Sequence, residues 1–298
     1  MPKTVDGIIL GSGHNSLVLQ AYMCLAGLDT ICLERNASYG GGLTTVEYPL
    51  DSGFLHNTHS FYHRGLNGLP WYHDLELEKH GAHYLQPELN VALITPTGET
   101  LQWWNQFDKT VASFASFSAR DAETLKSWRD EFRPILEQIL IPEAQSPPLP
   151  SSERDTELNR SALGRRLLEV SKLSPLEFVQ QNFEHPTVQA GLLFFNGLRE
   201  VDLRCPGFGH HIPALLASDT LAQMCRGGSS QLANSLATFI EARGGSIRCD
   251  CQIQSILVEG ERAVGVELAD GEQIHARKFV ASGLNPQQTF LQLLHPQH

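Results

Sequence analysis

Gly11, Gly13 and Glu34 are the residues of this 298-residue chain whose types and spacing most directly imply chemistry. In DGIILGSGHNSL, Asp6 to Leu17, an apolar run ends at Gly11-Ser12-Gly13-His14-Asn15 and gives way to apolar residues at helical spacing. Gly11 permits a tight bend and Gly13 lets the backbone approach a bulky anion, while the start of a helix offers free amides and a partial positive charge. Glu34 closes the next apolar run, DTICLE, 21 residues after Gly13, where a carboxylate accepts hydrogen bonds from a ribose hydroxyl. Together these are the parts of a dinucleotide cradle. Ser16 departs from the pattern, since that position is normally Gly or Ala for close helix–strand packing.

Further candidates lie in DSGFLHNTHSFYH, Asp51 to His63, which carries His56, His59, Ser60 and Tyr62. His59 is the candidate acid or base, because imidazole titrates near neutral pH; the competing reading is a histidine that satisfies backbone groups or faces solvent. His59 and His63 would share a face if the segment were helical. No carboxylate stands at metalloprotease spacing beside them, and no metal site is expected. The six cysteines read as reduced structural thiols.

The elements that must position these groups follow from periodicity. VDGIIL predicts a buried strand, SLVLQAYMCLAGL a helix stopped at Gly27, and DTICLE a second strand. His83–Trp104 reads as two strands around Thr97-Gly98, part of a substrate-domain sheet. From Asp108 to about Gln223 the pattern is mainly helical, with a capping box at Ser174 and Glu177 flanking Pro175 and a proline-rich loop over Ile141–Ser152. LGRRLLEVSKLSPLEFV and GLLFFNGL read as core helices, with a lipophilic tunnel or a membrane surface as the alternatives. Arg226–Ser282 predicts a glycine-initiated helix, a Gly-Gly turn and three strands, with Asp270-Gly271 as a hairpin turn.

Glu34, Arg35, Gly40, Gly41 and Thr45 fill the pattern ER-x(4)-GG-x(3)-T, which resembles the second FAD motif of the phytoene desaturase and amine oxidase superfamily. Gly13-His14-Asn15 is similar to the phytoene desaturase-like branch, and Gly42, where many amine oxidases have arginine, favours the same branch. The resemblance implies an α/β fold: a discontinuous Rossmann-like FAD-binding domain with an inserted, incomplete α+β substrate domain. Boundaries are expected at 1–82 and 223–298 for the FAD-binding domain and at 83–222 for the insertion. It implies FAD as cofactor, held by Gly11, Ser12, Gly13, His14, Asn15, Glu34, Arg35, Gly40, Gly41, Gly42 and Thr45, with Ile253 against the adenine and Ser282 and Gly283 near the pyrophosphate. The implied activity is hydride transfer from a lipophilic organic substrate to the flavin. A flavin amine oxidase, an NAD(P)-dependent dehydrogenase and a non-enzymatic FAD-binding scaffold or regulatory subunit are the alternatives. Relatives continue into a glycine-rich segment that covers the isoalloxazine, which the last 15 residues do not contain. A fragment, a natural truncation or one chain of a split enzyme would each explain this. The expectation is therefore a second chain carrying the C-terminal half, or a homo-oligomer.

Composition bounds these readings. With 41% hydrophobic and 18% charged residues and a net charge of −11, the chain suits a soluble anionic enzyme and not a nucleic-acid binder. It has no run of 18 uncharged apolar residues, so a cytoplasmic location is expected, with peripheral membrane contact as a variant.

Overall fold

A computed structural model of the chain describes residues 3–197, 202–219 and 222–297, the side chains of Asn196 and Gly197 excepted. Two compact units emerge, one formed by Met1–Gln86 with Ala222–His298 and the other by Pro87–Leu221.

The first unit opens with β1 (Lys3–Leu10), in which Ile8, Ile9 and Leu10 are wholly buried, as a continuous apolar run on a strand covered on both faces must be. α1 (His14–Leu25) follows at once, then β2 (Thr30–Leu33), buried along its whole length. β3 (Thr45–Glu47) and β4 (Leu55–Asn57) form a hairpin, and α2 (Pro70–Asp74) leads to β5 (Tyr84–Leu85). His59 and His63 lie outside any helix, which ends the idea of a shared helical face: His59 sits on a bend after β4.

The second unit begins with an antiparallel pair, β6 (Leu89–Ile94) and β7 (Thr100–Trp104), turning at Gly98 as expected. The helices are α3 (Phe107–Ala115), α4 (Ala119–Ile135), α5 (Ile141–Ala144), α6 (Ser151–Asn159), α7 (Ala162–Ser171), α8 (Pro175–Asn182), α9 (Pro186–Gly197) and α10 (His211–Ala217). α5 and α6 take up both ends of the expected proline-rich loop, leaving only residues 145–150 irregular. Ser174 and Glu177 form the reciprocal capping box at the start of α8. Leu167, Val170, Phe178, Val179 and Leu192 are buried with Phe114 and Phe132, so the apolar faces of α7 to α9 are core; Leu198, which ends the GLLFFNGL run, lies outside the described residues. Among the described residues no helix is long and apolar enough to cross a membrane.

The chain re-enters the first unit through β8 (Met224–Cys225), which pairs with β5, so that β5 belongs here and not to the β6–β7 pair. α11 (Ser230–Ala242) packs on α1 through Leu236, Phe239 and Ile240. It is followed by β9 (Ser246–Arg248), β10 (Ile253–Glu259), β11 (Arg262–Leu268) and β12 (Gln273–Ser282). The result is a six-stranded sheet in the order β10-β11-β12-β1-β2-β9. Its β12-β1-β2-β9 part is parallel, while β10 and β11 run as an antiparallel meander onto β12. β9 was not foreseen from its three residues. Cys249-x-Cys251 is not a strand, because Asp250 takes a left-handed φ of 53° between β9 and β10, and both thiols are free.

Candidate cofactor site

At the carboxyl end of the parallel strands, Leu10 pairs with Leu33 on one side and Ser282 on the other. The chain leaves this point through Gly11, whose φ of +80° suits glycine, and α1 begins at His14 with no side-chain cap on its N-cap residue Gly13. The first-turn amides of α1 therefore keep their partial positive charge for an external anion. A cavity of about 630 Å³ opens here, lined by Gly11, Ser12, Gly13, Glu34, Arg35 and Gly41 on one side and by Ile253 and Gly283 on the other. A Cβ placed on Gly13 would meet nothing within 4 Å, so bare backbone faces that space and fits the close approach of a pyrophosphate.

Gly40 and Gly41 are needed for a second reason, the stacking of one loop on another. The Gly40 amide donates to the Ser12 carbonyl at 2.9 Å, and a Cβ on Gly41 would come within 3.0 Å of the Gly13 Cα.

Glu34 is 7% exposed and its carboxylate is fully engaged. Oε2 accepts from the Ser12 amide at 2.9 Å and the Ser12 hydroxyl at 2.7 Å; Oε1 accepts from the Asn36 amide at 3.0 Å and its Nδ2 at 2.8 Å. Burial pushes the carboxyl up, but these bonds from Asn36 and Ser12 together hold it below the usual glutamate range. With four donors on four lone-pair sites, a ribose hydroxyl reaches Glu34 by replacing one of them. Beneath it, burial and then the Glu34 charge push the Cys32 thiol up to about 12, and that thiol donates to the Gly11 carbonyl at 3.4 Å. Cys32 is thus an inert structural thiol.

Six expected cofactor residues do not line the cavity: His14, Asn15, Gly40, Gly42, Thr45 and Ser282. His14 and Asn15 are exposed on the first turn of α1, and the Gly42 carbonyl accepts from the Ser60 amide at 3.4 Å. The Thr45 hydroxyl is committed to α11: it accepts from the Ser230 amide at 3.0 Å and donates to Asn57 Oδ1 at 2.8 Å, which in turn accepts from the Ser229 amide. The Ser282 hydroxyl is engaged with Thr289 at 2.7 Å. His59 is exposed, with Nδ1 at 2.9 Å from the Thr58 hydroxyl, and it too lies outside the cavity lining.

The residues that sequence reasoning missed are Asn36, which secures Glu34, and a polar rim of Gln252, Gln254, Gln288 and Gln292. Asn36 follows Glu34 by two positions, near enough for both its backbone and its side-chain amide to reach the carboxylate. Among the described residues no group of side chains could hold a metal ion.

A glycine turn at the end of β1, an acidic residue at the end of β2 and a cavity spanning both define a dinucleotide-binding α/β protein. The chain belongs to the flavin containing amine oxidoreductase family, whose profile matches residues 26–287, and its cofactor is FAD. It is 30% identical to one of the subunits of limonene dehydrogenase from Castellaniella defragrans, over 97% of this chain and 53% of that protein. A shorter match, 40% identical over 24% of this chain and 14% of the relative, is to the neurosporene-forming phytoene desaturase of Cereibacter sphaeroides. The fold resembles that of wild-type putrescine oxidase bound to putrescine, with a TM-score of 0.63 at 14% identity over 98% of this chain and 61% of that one. The chain spans about half the length of the curated relatives it matches along nearly its whole extent.

Proposed function

We propose that the chain is the FAD-cradling part of an FAD-dependent oxidoreductase of the phytoene desaturase-like branch, acting on a lipophilic organic substrate. The observation that carries this reading is the single cavity on which the Gly11–Gly13 turn, the Glu34–Asn36 segment and Ile253 converge. In this reading the bare backbone at Gly11 and Gly13 and the amides at the start of α1 hold the pyrophosphate. Glu34 and Asn36 exchange one of their mutual bonds for the ribose, and Ile253 flanks the adenine. Bound flavin supplies a two-electron acceptor for hydride. His59 is the proposed acid–base group; its support is an exposed imidazole next to Ser60, whose amide pairs with Gly42 of the glycine loop.

The lipophilic class rests on the relatives' names, limonene dehydrogenase and phytoene desaturase. The inserted unit Pro87–Leu221 is read as the substrate domain. A partner polypeptide is proposed on two grounds: the limonene dehydrogenase relative is named as a subunit, and the β3–β4 hairpin exposes Tyr48, Leu50, Phe54 and Leu55 by 56–82%.

The test is a visible absorption spectrum of the purified chain, followed by release of the chromophore on denaturation. Flavin bands and released FAD near one per chain are expected. A colourless chain that takes up NAD and not FAD would sink the reading.

A further inference from the structure

Ser16 is 3% exposed, and its hydroxyl finds no hydrogen-bond partner among the described residues. Such an orphan is destabilising, and it stands at a position that normally takes Gly or Ala. The atom it faces belongs to a distant part of the chain. A Cβ on Gly283 would lie 1.9 Å from Ser16 Oγ and 3.3 Å from Ser16 Cβ. Gly283 does not have a left-handed φ, so its backbone conformation by itself places no demand for glycine. The demand comes from Ser16. Gly283 also donates its amide to the Leu10 carbonyl at 3.0 Å, where β12 ends beside β1, and it lines the cavity together with Leu284, whose Cδ2 would lie 2.6 Å from a Cβ on Gly11.

From these contacts we infer that Ser16 and Gly283 form one compensating pair. The side-chain atoms excluded from the strand side are carried on the helix side, and the pair sets how closely the Gly283–Leu284 wall approaches the glycine turn. Ser16 does not itself line the cavity and acts on it only through the room it leaves at position 283. The inference rests on the reading of that cavity as the FAD site.

Titrating FAD into apoprotein of four 298-residue chains tests it: wild type, Ser16→Gly, Gly283→Ala and the double variant, each checked by far-UV circular dichroism and thermal unfolding. Gly283→Ala is expected to weaken FAD binding at least about tenfold, since the added carbon overpacks a filled contact. Ser16→Gly should stay within about threefold of wild type, and the double variant should return to within about threefold. If Gly283→Ala cannot be isolated folded, a folded, FAD-binding double variant supports the pair, and an unfolded one overturns it. Wild-type affinity in Gly283→Ala, no recovery in the double variant, or a lowered Tm with unchanged affinity each overturns the positioning role alone. A wild-type chain that binds no FAD overturns the pair together with the cavity reading.

Discussion

Glu34 shows how one side chain can serve the fold and the ligand at once. Its carboxylate ties the turn after β1, through Ser12, to the segment after β2, through Asn36. Glu34→Gln keeps the shape but places an amide NH₂ against donors, so it should cost about 1–3 kcal/mol in thermal or urea unfolding. It should also weaken FAD retention, measured as flavin per chain after gel filtration. The pH dependence follows from the depressed carboxyl. A group whose folded value is lowered stabilises above its unfolded value and loses that contribution as pH falls through the folded one. The gap in stability between wild type and Glu34→Gln should therefore be widest near neutrality and close below about pH 4. Unchanged unfolding across that range would show that the four hydrogen bonds contribute nothing net. At this scale Gly11, Gly13 and Glu34 were legible because their spacing is local to one strand–turn–helix–strand unit. The full occupancy of Glu34 was not, since it depends on where two side chains rotate.

Among the elements, α11 depends on residues far from it in sequence. Its N-cap residue Ser229 makes no side-chain cap, and the Ser229 and Ser230 amides go to Asn57 and Thr45 across the hairpin base. Thr45→Val and Asn57→Ala should each cost about 0.5–2 kcal/mol, like the loss of a helix cap, with FAD affinity reduced only as far as α11 moves. A Thr45→Val variant of full stability that had lost FAD would restore Thr45 to direct cofactor contact. The hairpin itself pairs with no other strand among the described residues and exposes apolar side chains. Leu50→Ser with Phe54→Ser should weaken association with the proposed partner polypeptide in analytical ultracentrifugation and leave flavin occupancy unchanged. Loss of flavin in that variant would instead assign these side chains to support of the cofactor cavity. The motif reading could not have assigned Thr45 to a cap, because a threonine at that spacing fits a phosphate contact and a helix amide equally well.

Across the whole molecule, the first unit is assembled from two stretches of chain separated by the unit at Pro87–Leu221. β1 is sandwiched between β2 and β12, and β2 is covered on its far side by β9. A chain ending at residue 221 should expose the edges of β1 and β2 and the α1 face that packs on α11, and should not retain FAD. FAD retained by that truncated chain would refute this dependence. The amino-acid sequence alone determined the β1–turn–α1–β2 unit, its acidic terminus, the three strands β10 to β12 with the hairpin turn at Asp270-Gly271, and the helical character of the inserted unit, because each is written in short-range periodicity and turn chemistry. Only tertiary structure decided that β9 joins the sheet beside β2, that the Thr45 hydroxyl meets the Ser230 amide and Ser282 meets Thr289, that Asn36 secures Glu34, and that Ser16 faces Gly283. Those outcomes depend on which distant backbones are brought within a few ångströms, and no local spacing encodes that.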